Sequence, residues 1–550
     1  MGRSRRREQT RARGGPAPAP PAAPRGPGRP ARTWLCAGLL LAVTTLAFAP
    51  TFGAEFVKWD DQFYVEENPL LLDTAGLQKI WDPIAREAPQ YYPILFSAYW
   101  IEYRLWGLRA SGFHAVTLLW HLANVVLVLA LMRSFGTSPW VATVTAGLFA
   151  VHPVQAASVA WISEQKNTLS GLFYLVAFLL YLRHRRTAGW PAYVGCLASF
   201  VFALLSKNQT ATLPVSLLLA DWLLQRSGRL PRMSWSAVTA RLAPMVLLAG
   251  LGAAVTVYFE ATYFQHQPYA HFFSAGERLL IAANAASFYV HTFLAPVRLA
   301  PIYPEWPPIS ADPSWWAAVA LCVAAAATLL AGWRRIAPLT LWGILHFFAA
   351  LLPVLRLVSF NYQTYTTVAD HFLYLPCIGG GLALATAAEV LVSRIPAAPA
   401  QRRSLALLGV LVLCASAGQT YRGATHWRSN LAFWTRVLER DPEGFLGNIN
   451  LGNHYRYRGE WAHAAPYYRR AAEIRPRVDY PFRRYVQALR NSEGPEGALA
   501  ACNEKLQRAP SFAPAYLERA ITYEQMGRDT EAARDYEEAR RLDGERGGPR

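Results

Sequence analysis

Charge is what this chain has little of. Asp, Glu, Lys and Arg make up 16% of its 550 residues, against about 25% in soluble globular proteins. With 53% of residues hydrophobic, that deficit excludes a disordered chain and a typical soluble enzyme. Cysteine is scarce as well. The six are Cys36, Cys196, Cys322, Cys377, Cys414 and Cys502, and no two form a CxxC pair. This spacing argues against a disulfide framework and a cysteine metal site, and most of these thiols sit in apolar runs as small core or lipid-facing residues. The charge that is present is one-sided, +18 in total. Such a balance raises nucleic-acid binding as a possibility. The apolar fraction opposes it, so the position of the charge decides.

Residues 1–33 hold nine Arg and one Glu, with a Pro/Ala/Gly-rich stretch from Pro16 to Pro30. No core can form there, and the segment reads as a disordered basic cytoplasmic tail. The apolar run Trp34 to Phe52 follows, long enough for one membrane-spanning helix. Positive charge ahead of a first span holds that end in the cytoplasm. Ala47-Phe48-Ala49 resembles a cleavage site, but Pro50 follows it, so an uncleaved anchor is the better reading.

Further apolar runs lie at 113–132, 139–162, 168–182, 190–206, 209–224, 242–258, 279–296, 315–332, 337–355, 371–392 and 404–420. Basic connectors occur at Arg183 to Arg186, Arg226 to Arg241, Arg334-Arg335 and Arg394 to Arg403. All four fall on the cytoplasmic side if one run does not cross. The run 279–296 carries Asn284 and His291, so it is the one expected to be re-entrant or only partly inserted. The expected fold is all-α: a polytopic helical membrane domain over 34–420 with about eleven spans, then a second helical domain. The odd count puts that second domain outside the cytoplasm.

That domain, 425–545, repeats with a period of about 34 residues, the length of a tetratricopeptide repeat. Leu451-Gly452, Tyr455, Gly459, Ala464, Tyr468, Ala471 and Pro476 occupy the signature offsets of one copy. A degenerate copy carries Leu489, Ala498 and Pro510, and a third carries Tyr523, Gly527, Ala532, Tyr536 and Ala539. Half of an earlier unit precedes them, around Trp434 and Pro442. Basic and acidic residues nearly balance here, so this is no nucleic-acid surface. Stacks of this kind hold peptides or partner proteins on a concave face, or brace a neighbouring domain.

The loop 53–112 joins the first two spans on the outer side. It opens with Trp59-Asp60-Asp61-Gln62 and closes with YYPILFSAYWIEYRLWG, an aromatic helix suited to the interface. Paired Asp residues often serve only as turn or cap residues. Beside a membrane and a like charge, one of the two can also hold a raised pKa and act as a general base. A metal site would need further ligands that no sequence cluster supplies.

Several stretches carry a resemblance: FVKWDDQFYVEENP, YYPILFSAYWIEYRLWG, GLFAVHPVQAASVAWISEQKNTLSGLFYL, LLSKNQTATLPVSLLLADWL, APVRLAPIYP and VADHFLYLPCIG. Their order, with repeats after them, resembles the transmembrane and tetratricopeptide-repeat protein O-mannosyltransferases and bacterial relatives, within the GT-C class. The resemblance implies a GT-C-like membrane domain with an external site. It implies a mannose-like sugar carried on a polyprenyl phosphate, moved to Ser/Thr hydroxyls of extracytoplasmic proteins that the repeats present. Asp60 and Asp61 match the family's acidic pair, one of them being the base. The outer-side cations available to a leaving phosphate are Lys166, Lys207, Arg298 and His371. His152 and Glu164 flank the end of a span and are expected in the same pocket. Asp370, expected to orient His371, and Tyr374 are retained from the family's pattern.

There are departures. Gln155 and Ala157 stand where relatives carry His and Glu, Asn167 where they carry Asp, and His371 where they carry Arg. These leave an altered donor, another acceptor or reduced catalysis open. Two other readings stand beside the first. One is a non-catalytic membrane-anchored repeat scaffold for envelope assembly. The other is a GT-C transferase acting on a glycan or lipid. The expected partners are membrane lipids, the lipid-linked sugar and an acceptor protein, without nucleic acid. No cofactor beyond the lipid-linked sugar is firmly implied, and the need for a divalent metal stays open. The expected location is a multi-pass integral membrane protein, in the inner membrane if the source is bacterial.

Overall fold

In the computed structural model, residues 30–84, 87, 90–264, 273–304, 306, 313–358, 361–394 and 399–546 are described. The Arg-rich tail lies outside them up to residue 29. Among the described residues the secondary structure is helical, with no strand. Four helices are long and apolar enough to cross a bilayer: Ala110–Ser134, Trp235–Glu260, Ser314–Arg335 and Pro376–Arg394. Shorter apolar helices are Leu35–Ala47, Pro139–Val151, Trp190–Leu204 and Pro338–Val354. The run 279–296 is one continuous helix, Ala275–Leu294, without the break that a re-entrant segment needs.

The run 139–162 is not one helix. Pro139–Val151 ends at His152, where Pro153 removes a backbone donor and disfavours helical geometry in the residue before it. The chain then makes a short helix, Gln155–Ala160, and a tight turn, Ile162–Glu164. Every residue from Val151 to Ser170 is buried. The break therefore carries Glu164 into the protein and not out to solvent.

Small residues let the helices close on one another. A Cβ on Gly343 would lie 2.5 Å from the carbonyl oxygen of Gly379, and the reverse is also true. Helices Pro338–Leu351 and Pro376–Arg394 thus meet backbone to backbone, which dispersion favours in an apolar solvent.

Three of the basic connectors meet at one end of the helical domain. Arg185 and Asp221 pair at 2.7 Å with both side chains fully buried, and the Tyr181 hydroxyl also donates to Asp221. Arg185 donates to the Pro231 carbonyl, Arg186 to Ser134 and Arg229 to Phe135. Arg226 lies over the Trp333 ring at 4.4 Å. Segments 183–186, 226–241 and 333–335 are thereby gathered together. Helix Gln165–Thr187 starts at Glu164 and ends in this basic cluster. Lys166 and Arg186 are about 30 Å apart along it, close to the thickness of a bilayer's hydrocarbon core.

At the other end stand the repeats. Helix Asn430–Arg440 is followed by three pairs: Phe445–Tyr457 with Trp461–Ile474, Asp479–Ser492 with Pro495–Arg508, and Ala513–Gln525 with Asp529–Arg546. Gly452 faces Tyr468 so closely that a Cβ would sit 2.8 Å from the ring, which explains that signature pair. Gly459 and Gly527 make the turn within the first and third pairs at φ of 73° and 70°. In the middle pair the left-handed glycine is Gly494, one residue later than the period predicts. That slip explains why this copy reads as degenerate. Phe433, Trp434, Val437 and Leu451 share one core with the membrane domain, so the first unit is docked, not tethered.

Candidate active site

The adjacent carboxylates of Asp60 and Asp61 have different surroundings. Asp61 is buried and saturated. Its Oδ2 accepts the Val57 N–H at 2.9 Å, and its Oδ1 accepts the Ser163 N–H at 2.8 Å and the Ser163 hydroxyl at 2.5 Å. It fastens the first loop to the turn that carries Glu164. Burial pushes its carboxyl up to about 7 against the pull of those hydrogen bonds.

Asp60 is closely walled yet half-buried, so solvent reaches it. Among the described residues no donor hydrogen-bonds its carboxylate. Burial pushes it up to about 6; Lys166 and Lys207 pull it down, and Glu164 pushes it up. That is the condition of a group able to exchange a proton near neutral pH.

The charges acting on Asp60 form one buried network around Glu164. Lys207 Nζ lies 2.9 Å from Glu164 Oε2, and Lys166 Nζ lies 3.0 Å from Oε1. Asn167 bridges the set. Its amide nitrogen donates to Glu164 at 2.6 Å and to the His371 carbonyl at 3.1 Å, while its oxygen accepts Lys207 at 2.7 Å. His371 Nε2 stands 3.7 Å from Glu164. Aromatic rings line the cations: Lys166 over Tyr64 at 4.9 Å and Lys207 over Phe372 at 5.8 Å.

Burial alone would raise Glu164, but His371 where it is protonated, Lys166 and Lys207 pull its carboxyl well below the usual range, and at physiological pH the two lysines carry that pull. Burial pushes Lys207 down to about 8, with Glu164 opposing and Lys166 adding to the fall. Burial takes His371 down to about 3, so its imidazole is neutral at physiological pH. Two buried cations, the buried carboxylate that holds them and one half-buried carboxylate are thus gathered in one charged cluster.

The structure therefore brings together Asp60, Asp61, Glu164, Lys166, Lys207 and His371. Four other expected residues go elsewhere. Asp370 does not orient His371; it accepts the Tyr303 hydroxyl at 2.6 Å. His152 Nε2 pairs with the Phe293 carbonyl at 2.9 Å and its ring stacks on Phe293, so it closes a helix end. The Tyr374 hydroxyl is taken by Asn124 at 2.8 Å and His121 at 2.9 Å, within the helix core. Arg298 lines a separate cleft of 1090 Å³ with His291, Tyr303 and Arg440.

Sequence reasoning missed two features. Asn167 was read as a lost acid, yet its amide joins Glu164 to Lys207. Tyr362, in a stretch with no motif, stands over His371 at 5.2 Å with its hydroxyl buried and unbonded among the described residues. Gln155 is also buried, with neither amide atom bonded. Among the described residues no three His, Cys, Asp or Glu side chains gather as metal ligands.

No protein-family model matches the chain. A curated protein from Caenorhabditis elegans is 22% identical over 440 residues, 75% of this chain and 59% of its own length. It is a protein O-mannosyl-transferase. TMTC1 of Homo sapiens, of the same description, is 32% identical over 185 residues, 32% of this chain and 20% of its own. The tmtc2 protein of Xenopus laevis is 30% identical over 165 residues, 28% and 19% respectively. This chain is similar to protein O-mannosyl-transferases of the TMTC type. It spans 59% of the length of the first relative and about a fifth of the other two. A solved structure, ArnT from Cupriavidus metallidurans bound to undecaprenyl phosphate, aligns over 88% of this chain and 81% of its own, at 14% identity and a TM-score of 0.35.

Proposed function

We propose that this chain is a GT-C-type membrane glycosyltransferase that moves a mannose-like sugar from a polyprenyl phosphate to Ser/Thr hydroxyls of a polypeptide. The reading rests on one observation above others: Asp60 is unbonded and reached by solvent, beside the Lys166–Glu164–Lys207 network. Asp60 takes the proton of the acceptor hydroxyl as the acceptor Oγ bonds to the sugar's anomeric carbon. The bond from that carbon to the phosphate oxygen breaks, and the lipid phosphate leaves with the electron pair. Lys207 and Lys166 face that growing negative charge, and preorganised, buried cations stabilise it far more than they would in water. Attack opposite the leaving group inverts the anomeric centre.

Asp61 holds the loop, and Glu164 holds the two lysines in place. The convergence of the basic connectors supports a cytoplasmic N-terminus, with the site and repeats on the opposite side. Similarity to the O-mannosyl-transferases supports the sugar and the hydroxyl acceptor.

The test is reconstitution of the purified chain with a polyprenyl-phosphate sugar and a Ser/Thr peptide, read by mass. A hexose-sized gain on the peptide is expected. Hydrolysis or transfer to glycan alone would overturn the polypeptide acceptor.

A further inference from the structure

The inner helices of the repeats, Phe445–Tyr457 and Asp479–Ser492, carry two arginines that no carboxylate neutralises among the described residues. Arg456 is half-buried and lies on the Tyr457 ring at 4.2 Å, and its Nε has no acceptor. Arg484 lies over Tyr480 at 5.0 Å, and the hydrogen bond it makes goes to Gln487 at 2.7 Å. The Tyr468 and Tyr480 hydroxyls both donate to Asn453, at 2.8 and 2.9 Å. Arg484 lies over Tyr480 and both arginines act on the Tyr468 hydroxyl, so the two stand beside one tyrosine–asparagine cluster. Arg484 lines a polar cleft of 390 Å³. The carboxylates of that cleft are Asp479 and Glu518. Glu518 is already held by Arg483 at 3.0 Å and Arg490 at 2.6 Å.

The row continues toward the site. Lys58, two residues before Asp60, stands 5.5 Å from the centre of the same Tyr457 ring, with the half-buried Glu66 as the carboxylate that acts on it. Lys58, Arg456 and Arg484 thus form a cationic line from the Asp60 loop into the repeats. Arginines packed against aromatic rings have their forks partly pre-ordered for a carboxylate, and less side-chain entropy is lost on binding.

We propose that this line is a docking groove for an acidic polypeptide segment, with Arg456 and Arg484 binding carboxylates of the acceptor next to its modified hydroxyl. The proposal rests on the acceptor being a polypeptide. It goes further by assigning a charge preference and a surface.

The experiment uses the full-length chain in detergent without any sugar donor, so that it is independent of transfer. Fluorescence anisotropy compares a labelled Ser/Thr peptide rich in Glu with the same peptide carrying Gln at those positions. Tighter binding of the acidic peptide is expected, with roughly tenfold loss on Arg456→Gln or Arg484→Gln. Arg484→Lys, which keeps the charge and loses the fork, is expected to fall between. Circular dichroism and gel filtration check that each variant is folded. Equal binding of the two peptides, or binding unchanged in folded Arg456→Gln and Arg484→Gln, overturns the groove. Loss of binding to anionic-lipid vesicles in these variants, with peptide affinity unchanged, also overturns it and points to a membrane contact instead.

Discussion

Asn430, at the start of the first repeat helix, accepts the backbone N–H of Lys58 at 2.6 Å and donates to the Phe56 carbonyl at 3.2 Å. Close by, the Glu55 N–H donates to the Arg428 carbonyl at 2.9 Å, and Trp59 meets Trp434 edge to face at 5.6 Å. The irregular stretch leading to Asp60 is therefore held by the repeat domain. Asn430→Ala removes both side-chain bonds, on the order of 1 kcal/mol each. A roughly tenfold fall in kcat is expected, with KM for the lipid donor little changed. Steady-state kinetics of the folded variant checks this.

The two carboxylates should separate by variant. Asp60→Asn removes a group bonded to nothing, so it should abolish transfer without lowering thermal stability. Asp61→Asn puts an amide where three donors converge, so at least one buried donor loses its acceptor. A stability loss of about 1–3 kcal/mol is expected, read as a lower Tm in detergent.

The pH profile follows from the same groups. The base must be ionised, so kcat/KM should rise with pH through about 6, the value burial gives Asp60. It should fall again near 8 as Lys207 loses its proton. Lys207→Arg keeps its charge at higher pH and should move the alkaline limb up while the acid limb stays. Stability runs the other way for Asp60. Its folded pKa is raised, so its contribution is complete below about pH 4 and is lost as pH rises through about 6. Thermal melts between pH 4 and 7 would show that slope in the native chain and less of it in Asp60→Asn.

At the opposite end, Arg185→Met should leave Asp221 buried without its cationic partner. The expected cost is about 3–5 kcal/mol, seen as early unfolding, while molecules that do fold retain transfer. Arg185→Met with Asp221→Leu should recover most of that loss, because an apolar pair replaces an ion pair at little cost.

Much of this was legible in the sequence. Apolar runs marked the helices, and the period of about 34 residues marked the repeats, down to the turn glycines. The Asp60-Asp61 pair marked the loop. Which Asp is free was not legible. Neighbours in a turn point apart, and only the packing of Ser163 against Asp61 decides. Asp370, His152 and Tyr374 were placed by motif, but their partners, Tyr303, Phe293 and Asn124, lie 67, 141 and 250 residues away in sequence. No local pattern encodes such contacts. The break at His152-Pro153 was readable from the proline, yet the apolar residues after it masked the turn. Asn430 carried no signal, because the backbone it holds lies 372 and 374 residues away in sequence.

The most direct test of Asp60 as the base is single-turnover transfer by the purified chain, comparing native protein, Asp60→Asn and Asp61→Asn on one Ser/Thr peptide. Product mass is read over time. Native protein should add one hexose-sized mass, Asp60→Asn none above background, and folded Asp61→Asn a measurable amount. Transfer by Asp60→Asn at the native rate would show that the acceptor's proton goes to another group.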